Sequence, residues 1–226
     1  MNGLRKRDGF TLIELLVAMV LSVIILAGIY STYYSQQKSY LVQEQVAAMQ
    51  QNLRAALFYM EREIRQAGCD PTRKAGAGLT TANVNTIGFT EDADGDSNLL
   101  EVMYALYTDT DGIQKLGRQT RVPPNPFSGT RAVADNIDVI DFVYLDKDGN
   151  DLDEGGGNVI SPAGIAKIRS VQVTVVARTG IQDVTYTNTD DYYNQHDLGT
   201  PLLAAPNDHF RRKLLSTNIK FRNLGL

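Results

Sequence analysis

Apolar residues are spread along this chain in three different ways, and each way predicts a different element. From Gly9 to Tyr30 the run GFTLIELLVAMVLSVIILAGIY is apolar almost without a break. From Leu15 to Tyr30 only Ser22 and Gly28 interrupt it. With Phe10 to Ile13 added, it reaches the ~20 residues that a helix needs to span a bilayer core. Further on the pattern thins to a stripe. Val42, Val46, Met49, Leu53, Ala56, Met60, Ile64 and Ala67 recur at three- and four-residue steps, the spacing of one face of an amphipathic helix. The opposite face carries Gln45, Gln51, Arg54, Glu61 and Arg65. No proline occurs between Met1 and Cys69, and good helix formers dominate from Gln36 to Ala67. Gly68 and then Asp70-Pro71 supply a stop. The pattern predicts one helix from about Phe10 to Ala67, about 85 Å long at 1.5 Å per residue. Its first half is apolar all round and its second half on one side only. That side could face a coiled-coil partner or a sheet, and the β-rich segment that follows favours the sheet.

After Pro71 alternation replaces the stripe. NTIGFT (Asn85 to Thr90), LLEVMYALY (Leu99 to Tyr107), IDVIDFVYL (Ile137 to Leu145) and IRSVQVTVVAR (Ile168 to Arg178) read as strands. In the last, Val171, Val173 and Val175 point one way, and Gln172 and Thr174 the other. LLSTNIKFRN (Leu214 to Asn223) is a final strand with Leu215, Ile219 and Phe221 on one face. TDTDGIQ and LDKDGND supply Asp-Gly turns. Long polar loops surround Pro123 to Phe127, Glu154 to Pro162 and Asn188 to Asp208, and long loops are more often functional or mobile than architectural. Strands gathered after one helix give an α+β fold, with an antiparallel sheet laid on the C-terminal half of the helix.

Composition changes this picture only at its edges. A chain of 226 residues suits one domain with an appended element. The net charge of −4, without a basic tail, argues against nucleic acid as the main partner. Arg211, Arg212 and Lys213 form only a short basic run. Cys69 is the single cysteine; it excludes an internal disulfide and reads as a partly buried, unpaired thiol.

The first thirty residues carry the candidate chemistry. Arg5, Lys6 and Arg7 precede the apolar run, and the next positive residue is Lys38. By the positive-inside rule the N-terminus is cytoplasmic and the remainder lies outside. An ordinary secretory signal fits poorly, because the run is long and LAGIYSTYY is a poor cleavage site. A plain anchor fits better but leaves Glu14 without a reason. A carboxylate in lipid costs about 2.5–3.5 kcal/mol at a helix centre, less near the interface, and reads as functional by default. Tyr30, Tyr33, Tyr34 and Tyr40 sit where the helix would leave the lipid, an interface that tyrosine favours.

A short basic leader ending in Gly9, then Phe10, then Glu14 five residues into the chain that remains, then an apolar helix, resembles the processing site of type IV prepilins and type II secretion pseudopilins. The resemblance implies that a membrane-embedded prepilin peptidase cuts between Gly9 and Phe10 on the cytoplasmic face. It implies that Phe10 then carries an N-methyl group, and that Glu14 meets the amine of a neighbouring subunit during assembly. Glycine at the cut lets the backbone enter a narrow cleft. The new amine titrates near 8. Once ammonium and carboxylate are packed among apolar helices, removing either leaves a lone buried charge, a penalty of roughly 3–5 kcal/mol.

The implied organisation is a leader over residues 1–9, a transmembrane and assembly half of the helix over 10–34, an amphipathic half over 35–70, and an extracytoplasmic β-rich domain over 71–226. QNLRAALFYMEREIRQAGCDP and the finish KFRNLGL resemble PilW-type minor pilins in particular. The expected partners are other pilins through the helix, the peptidase, the bacterial inner membrane and the pilus assembly platform. The globular domain would be periplasmic first and at the cell surface once in a pilus. Two alternatives remain: a minor pseudopilin of a type II secretion system, and a one-span membrane protein whose outer domain binds a ligand and never polymerises.

Other chemistry is thin. Asp92, Asp94 and Asp96, and separately Asp146 and Asp148, could offer oxygens to calcium. The glycine of each run falls at the fourth position rather than the sixth, and the twelfth positions hold Met103 and Gly157 instead of Glu. Polar hairpin turns are the better reading. His196 and His209 lack metal-ligand spacing. AGAGLT lacks the Lys-Ser/Thr of a phosphate loop, and no nucleophile motif occurs. No cofactor and no catalysis are expected.

Overall fold

The computed structural model describes residues 9–153 and 160–224. Helix α1 runs Leu12–Ile64, and turns carry the chain from there to Gly68. It begins two residues later than the apolar pattern implies, because Thr11 is its cap rather than its first turn. Strands follow: β1 Leu79–Asn83, β2 Thr86–Glu91, β3 Leu100–Thr108, β4 Gln114–Arg121, β5 Arg131–Asp135 and β6 Ile137–Leu145. A single turn of helix, α2 (Pro162–Ile165), precedes β7 Ser170–Arg178 and β8 Arg212–Lys220. The chain separates into two compact units, one up to Glu44 and one from Gln45 onward.

In the second unit the strands divide between two antiparallel sheets, β1-β2-β3-β4-β5 and β6-β7-β8. The helix segment from Gln45 packs on them along the stripe read from the sequence. Met49, Leu53, Ala56, Leu57, Met60 and Ile64 are buried, and they share one core with Ile87, Phe89, Val102 and Tyr104 of the first sheet and Phe142, Val173 and Ile219 of the second. Burying a side chain of this size contributes roughly 1.5–3 kcal/mol. Polar links fix the register of the helix: the Glu63 carboxylate accepts from the Tyr104 hydroxyl at 2.5 Å and from Arg118 Nε at 2.8 Å.

The end of α1 is tied to the end of the chain. Gly68 takes φ +75°, a conformation that only glycine adopts without strain. A Cβ there would also come within 2.7 Å of Leu224 Cδ2. Asn223 Nδ2 donates to the carbonyls of Gln66 and Ala67 at 3.3 and 3.4 Å, in the turn just past the helix end, where the Gln66 carbonyl also accepts from the Cys69 amide at 2.9 Å.

The alternation in β7 is present, but both of its faces are covered. Val171, Val173 and Val175 enter the core, yet Gln172 and Thr174 are also buried. The long segment from Thr179 to Arg211 lies on that side. Asn194 Nδ2 donates to Asp141 at 3.1 Å, and Gln172 Nε2 donates to Gln195 at 2.6 Å. Ion pairs hold the base of the segment: Arg211 to Asp183 at 2.8 Å, and Arg212 to Asp138 and Asp208 at 2.6 Å each. The loop around Asn188 to Asp208, read as functional or mobile, is therefore largely a lid stitched onto the sheet, with Asn188 fully buried.

Candidate functional site

The first unit is nearly all helix, and its start has a defined geometry. Thr11 and Glu14 form a reciprocal cap. The Glu14 amide donates to Thr11 Oγ1 at 3.3 Å, while Glu14 Oε2 accepts from the Thr11 amide and hydroxyl at 2.9 Å each. This is a capping box, in which the first and third positions satisfy each other's unpaired groups. Its signature, Thr-x-x-Glu directly before an apolar run, was legible in the sequence, and Thr11 is the residue that sequence reasoning missed. Glu14 thus has a partner within its own chain. Oε1 makes no hydrogen bond among the described residues and stays available to a cation.

Gly9 and Phe10 precede the helix, and the Phe10 side chain is 91% exposed. A Cβ at Gly9 would meet nothing within 4 Å. Packing among the described residues gives no reason for glycine at position 9. The same is true of Gly28, a mid-helix glycine that costs about 1 kcal/mol relative to alanine.

From Leu12 to Leu41 every residue is exposed, including Leu15, Leu16, Val20, Leu21, Ile24, Ile25 and Ile29. Two of this stretch's hydroxyls are satisfied inside the helix. Ser22 Oγ donates to the Ala18 carbonyl at 2.7 Å, and Thr32 Oγ1 to the Gly28 carbonyl at 3.0 Å. Ser22, the one hydroxyl within the apolar run from Leu15 to Ile29, is thus paired inside the helix, which suits a medium without water. Among the described residues α1 is the one helix long and apolar enough to cross a membrane. Tyr30, Tyr33, Tyr34 and Tyr40 are exposed at its far end. The leader cluster Arg5, Lys6 and Arg7 lies outside the described residues.

The second unit places the remaining candidates. Asp92, Asp94 and Asp96 bring carboxylate oxygens within 4.8 Å of one another. Asp92 is buried and its two oxygens accept from the Gly95 and Ser97 amides at 2.9 and 3.1 Å, so this carboxylate already serves to close its own turn. Asp146 and Asp148 belong to a separate turn after β6. There Asp146 accepts from the amides of Asp148 and Asn150 at 2.8 and 2.9 Å, and Asp148 is engaged by Lys147 at 2.7 Å. Hydrogen bonds from Asn150 hold the Asp146 carboxyl below its usual range. His209 Nδ1 lies 2.6 Å from the Tyr186 carbonyl, and His196 is exposed. Cys69 is a free, half-buried thiol.

The comparisons with known proteins bear on both units. The prokaryotic N-terminal methylation motif matches residues 4–30. No curated protein sequence matches the chain. Among solved structures, a type IV-like pilin from Thermus thermophilus is similar in fold, with a TM-score of 0.53 at 14% identity, over 78% of this chain and 96% of that one. A capped, exposed apolar helix bearing a methylation motif, continued into a helix packed on antiparallel sheets, gives this chain a type IV pilin-like fold with a prokaryotic N-terminal methylation motif at its start.

Proposed function

We propose that this chain is a minor pilin, a structural subunit rather than an enzyme, that enters a type IV pilus after loss of residues 1–9 and N-methylation of Phe10. One observation carries the reading: in a capped helix, every residue from Leu12 to Leu41 is exposed among the described residues, its large apolar side chains included. Lipid covers it before assembly, with the N-terminus cytoplasmic and the β-rich unit periplasmic. The helices of other pilins cover it afterwards.

Cleavage places an ammonium at Phe10, next to Thr11. Glu14 keeps Oε1 open while Oε2 is held by Thr11. The carboxylate is therefore aimed and restrained before docking, and a neighbour's ammonium meets a preorganised anion. Pairing sets the axial register, because a shifted helix leaves two lone charges among apolar side chains. Glycine at position 9, without a packing reason among the described residues, fits a requirement imposed by the peptidase cleft. The minor, PilW-type assignment is supported by the meeting of the two stretches that resemble that group, in which Asn223 of the finish caps the helix end at Gln66 and Ala67.

Intact mass and N-terminal analysis of the protein from cells with and without prepilin peptidase tests this. The expected product begins at Phe10 with one added methyl group, and only where the peptidase is present. A mature chain still beginning at Met1 in peptidase-positive cells overturns the reading.

A further inference from the structure

The short basic run visible in the sequence, residues 211–213, is largely neutralised internally, since Arg211 and Arg212 are bound to Asp183, Asp138 and Asp208. Unpaired basic groups gather elsewhere. Where α1 ends, a cleft of about 420 Å³ is lined by Phe58, Arg62, Arg65, Cys69, Arg222 and Asn223, among others. Arg62 and Arg222 are exposed and have no ion pair or hydrogen-bonded side-chain partner among the described residues. Arg65 is paired with Glu61 of the same face. Phe58 stands at this cleft 71% exposed. Arg54, one turn earlier, is also exposed and continues the same face.

Arginines in the last turn of a helix complement its dipole, which accounts for Arg62 and Arg65. It accounts neither for a bare phenylalanine between arginines nor for Arg222 arriving from the opposite end of the chain. Asn223 fixes Arg222 there by capping α1. An exposed aromatic ringed by arginine, on a rigid helix and beside a cleft, has the composition of protein interfaces.

We propose that this face is a docking surface for an acidic polypeptide segment of a neighbouring protein, one that lays an apolar side chain against Phe58 and carboxylates against Arg62 and Arg222. The stretch from Arg54 to Arg65 spans about 16 Å along the helix, too long for one small anion and suited to a few residues of peptide. Glu61 sits within the patch; it disfavours a dense polyanion such as nucleic acid, whose affinity comes from uninterrupted phosphate contacts. The inference goes beyond the filament reading and does not depend on it, because it concerns the β-rich unit and not cleavage or the apolar helix.

The test titrates the full chain, in neutral detergent micelles, with a short fluorescein-labelled peptide of Glu and Gly carrying one central Leu; empty micelles give the background. Binding is expected, weaker as salt rises. The paired change Arg62→Glu with Arg222→Glu should weaken it about tenfold or more, and Phe58→Ala several-fold. Lys213→Glu, an exposed position at the opposite end of β8 from Arg222, should leave it unchanged. Arg62→Gln alone, with an unchanged urea midpoint, separates lost contacts from lost folding and should still weaken binding. The proposal is overturned if the peptide does not bind or if the Arg62, Arg222 and Phe58 variants bind it like the parent. It is equally overturned if an oligonucleotide of equal charge, or phosphatidylglycerol vesicles, displaces the peptide at lower concentration through the same arginines.

Discussion

Two stretches of one helix, Leu12–Leu41 and Gln45–Ile64, share backbone geometry and differ in what their side chains meet. The first is apolar on every side and wholly exposed. The second is apolar on one side, and that side lies in the core. The difference teaches where each stretch's free energy comes from. The second is held by its own chain through Leu53, Met60 and Ile64. The first is exposed throughout among the described residues, and an apolar surface of that kind gains free energy only where lipid or another molecule covers it.

The sharpest way to break the comparison is at Glu14. Glu14→Leu should leave membrane insertion intact, and more favourable if anything, yet cut incorporation into filaments by roughly two orders of magnitude, the equivalent of ~3 kcal/mol for a lone buried ammonium. Quantifying sheared pili beside membrane-fraction protein checks it. Equal incorporation of parent and variant would remove the register argument.

Next in size is truncation of the second stretch. Leu53→Ala should destabilise the β-rich unit by about 2–5 kcal/mol, whereas Ile25→Ala, in the first stretch, should not move the unit's urea midpoint. Should both variants unfold at the parent's midpoint, the stripe is not the core contact described.

Caps come third. Asn223→Ala removes two weak hydrogen bonds to the end of α1 and should cost about 1 kcal/mol in the urea midpoint. Thr11→Ala should cost the start of the helix a similar ~1 kcal/mol, read as faster amide exchange near Leu12 to Leu15 with the β-rich unit unaffected.

The smallest effect is a local one, in acid. Thr185 and Arg211 hold the Asp183 carboxyl down to about 2, and Arg212 holds Asp208 below its usual range. A carboxylate with a depressed pKa contributes stability above its unfolded value near 3.9 and loses it as pH falls toward the folded value. The lid over β7 should therefore loosen between about pH 4 and pH 2. Amide exchange at Asp183 to Asn188 should rise in that window ahead of exchange in β7. Simultaneous release of both would show that the ion pairs do not act on the lid alone.

Much of the architecture was legible in the chain, and the gaps have reasons. Strand β6 matched its reading from Ile137 to Leu145, and β2, β3, β7 and β8 were found with edges shifted by one to three residues. The strands β1, β4 and β5 were not read. LTTAN and RAVAD are short, and QKLGRQTR carries Lys115, Arg118 and Arg121, which look solvated. In the fold Lys115 is nearly buried against Asp109 and Asp111, and Arg118 against Glu63. At the candidate site Gly9, Phe10 and Glu14 were legible as a motif, and Thr11 was legible but overlooked.

By itself the sequence determined what depends on near neighbours: a helix, its apolar-all-round and one-sided stretches, its cap and its stop. These follow from a period of 3.6 residues and from groups a few positions apart. Only the tertiary structure decided that polar Gln172 and Thr174 are buried, that Asn223 caps a carbonyl 157 residues away, and that Arg222 joins Phe58 and Arg62 beside one cleft. Such meetings are set by how packed elements return to one another in space, and no local periodicity records that.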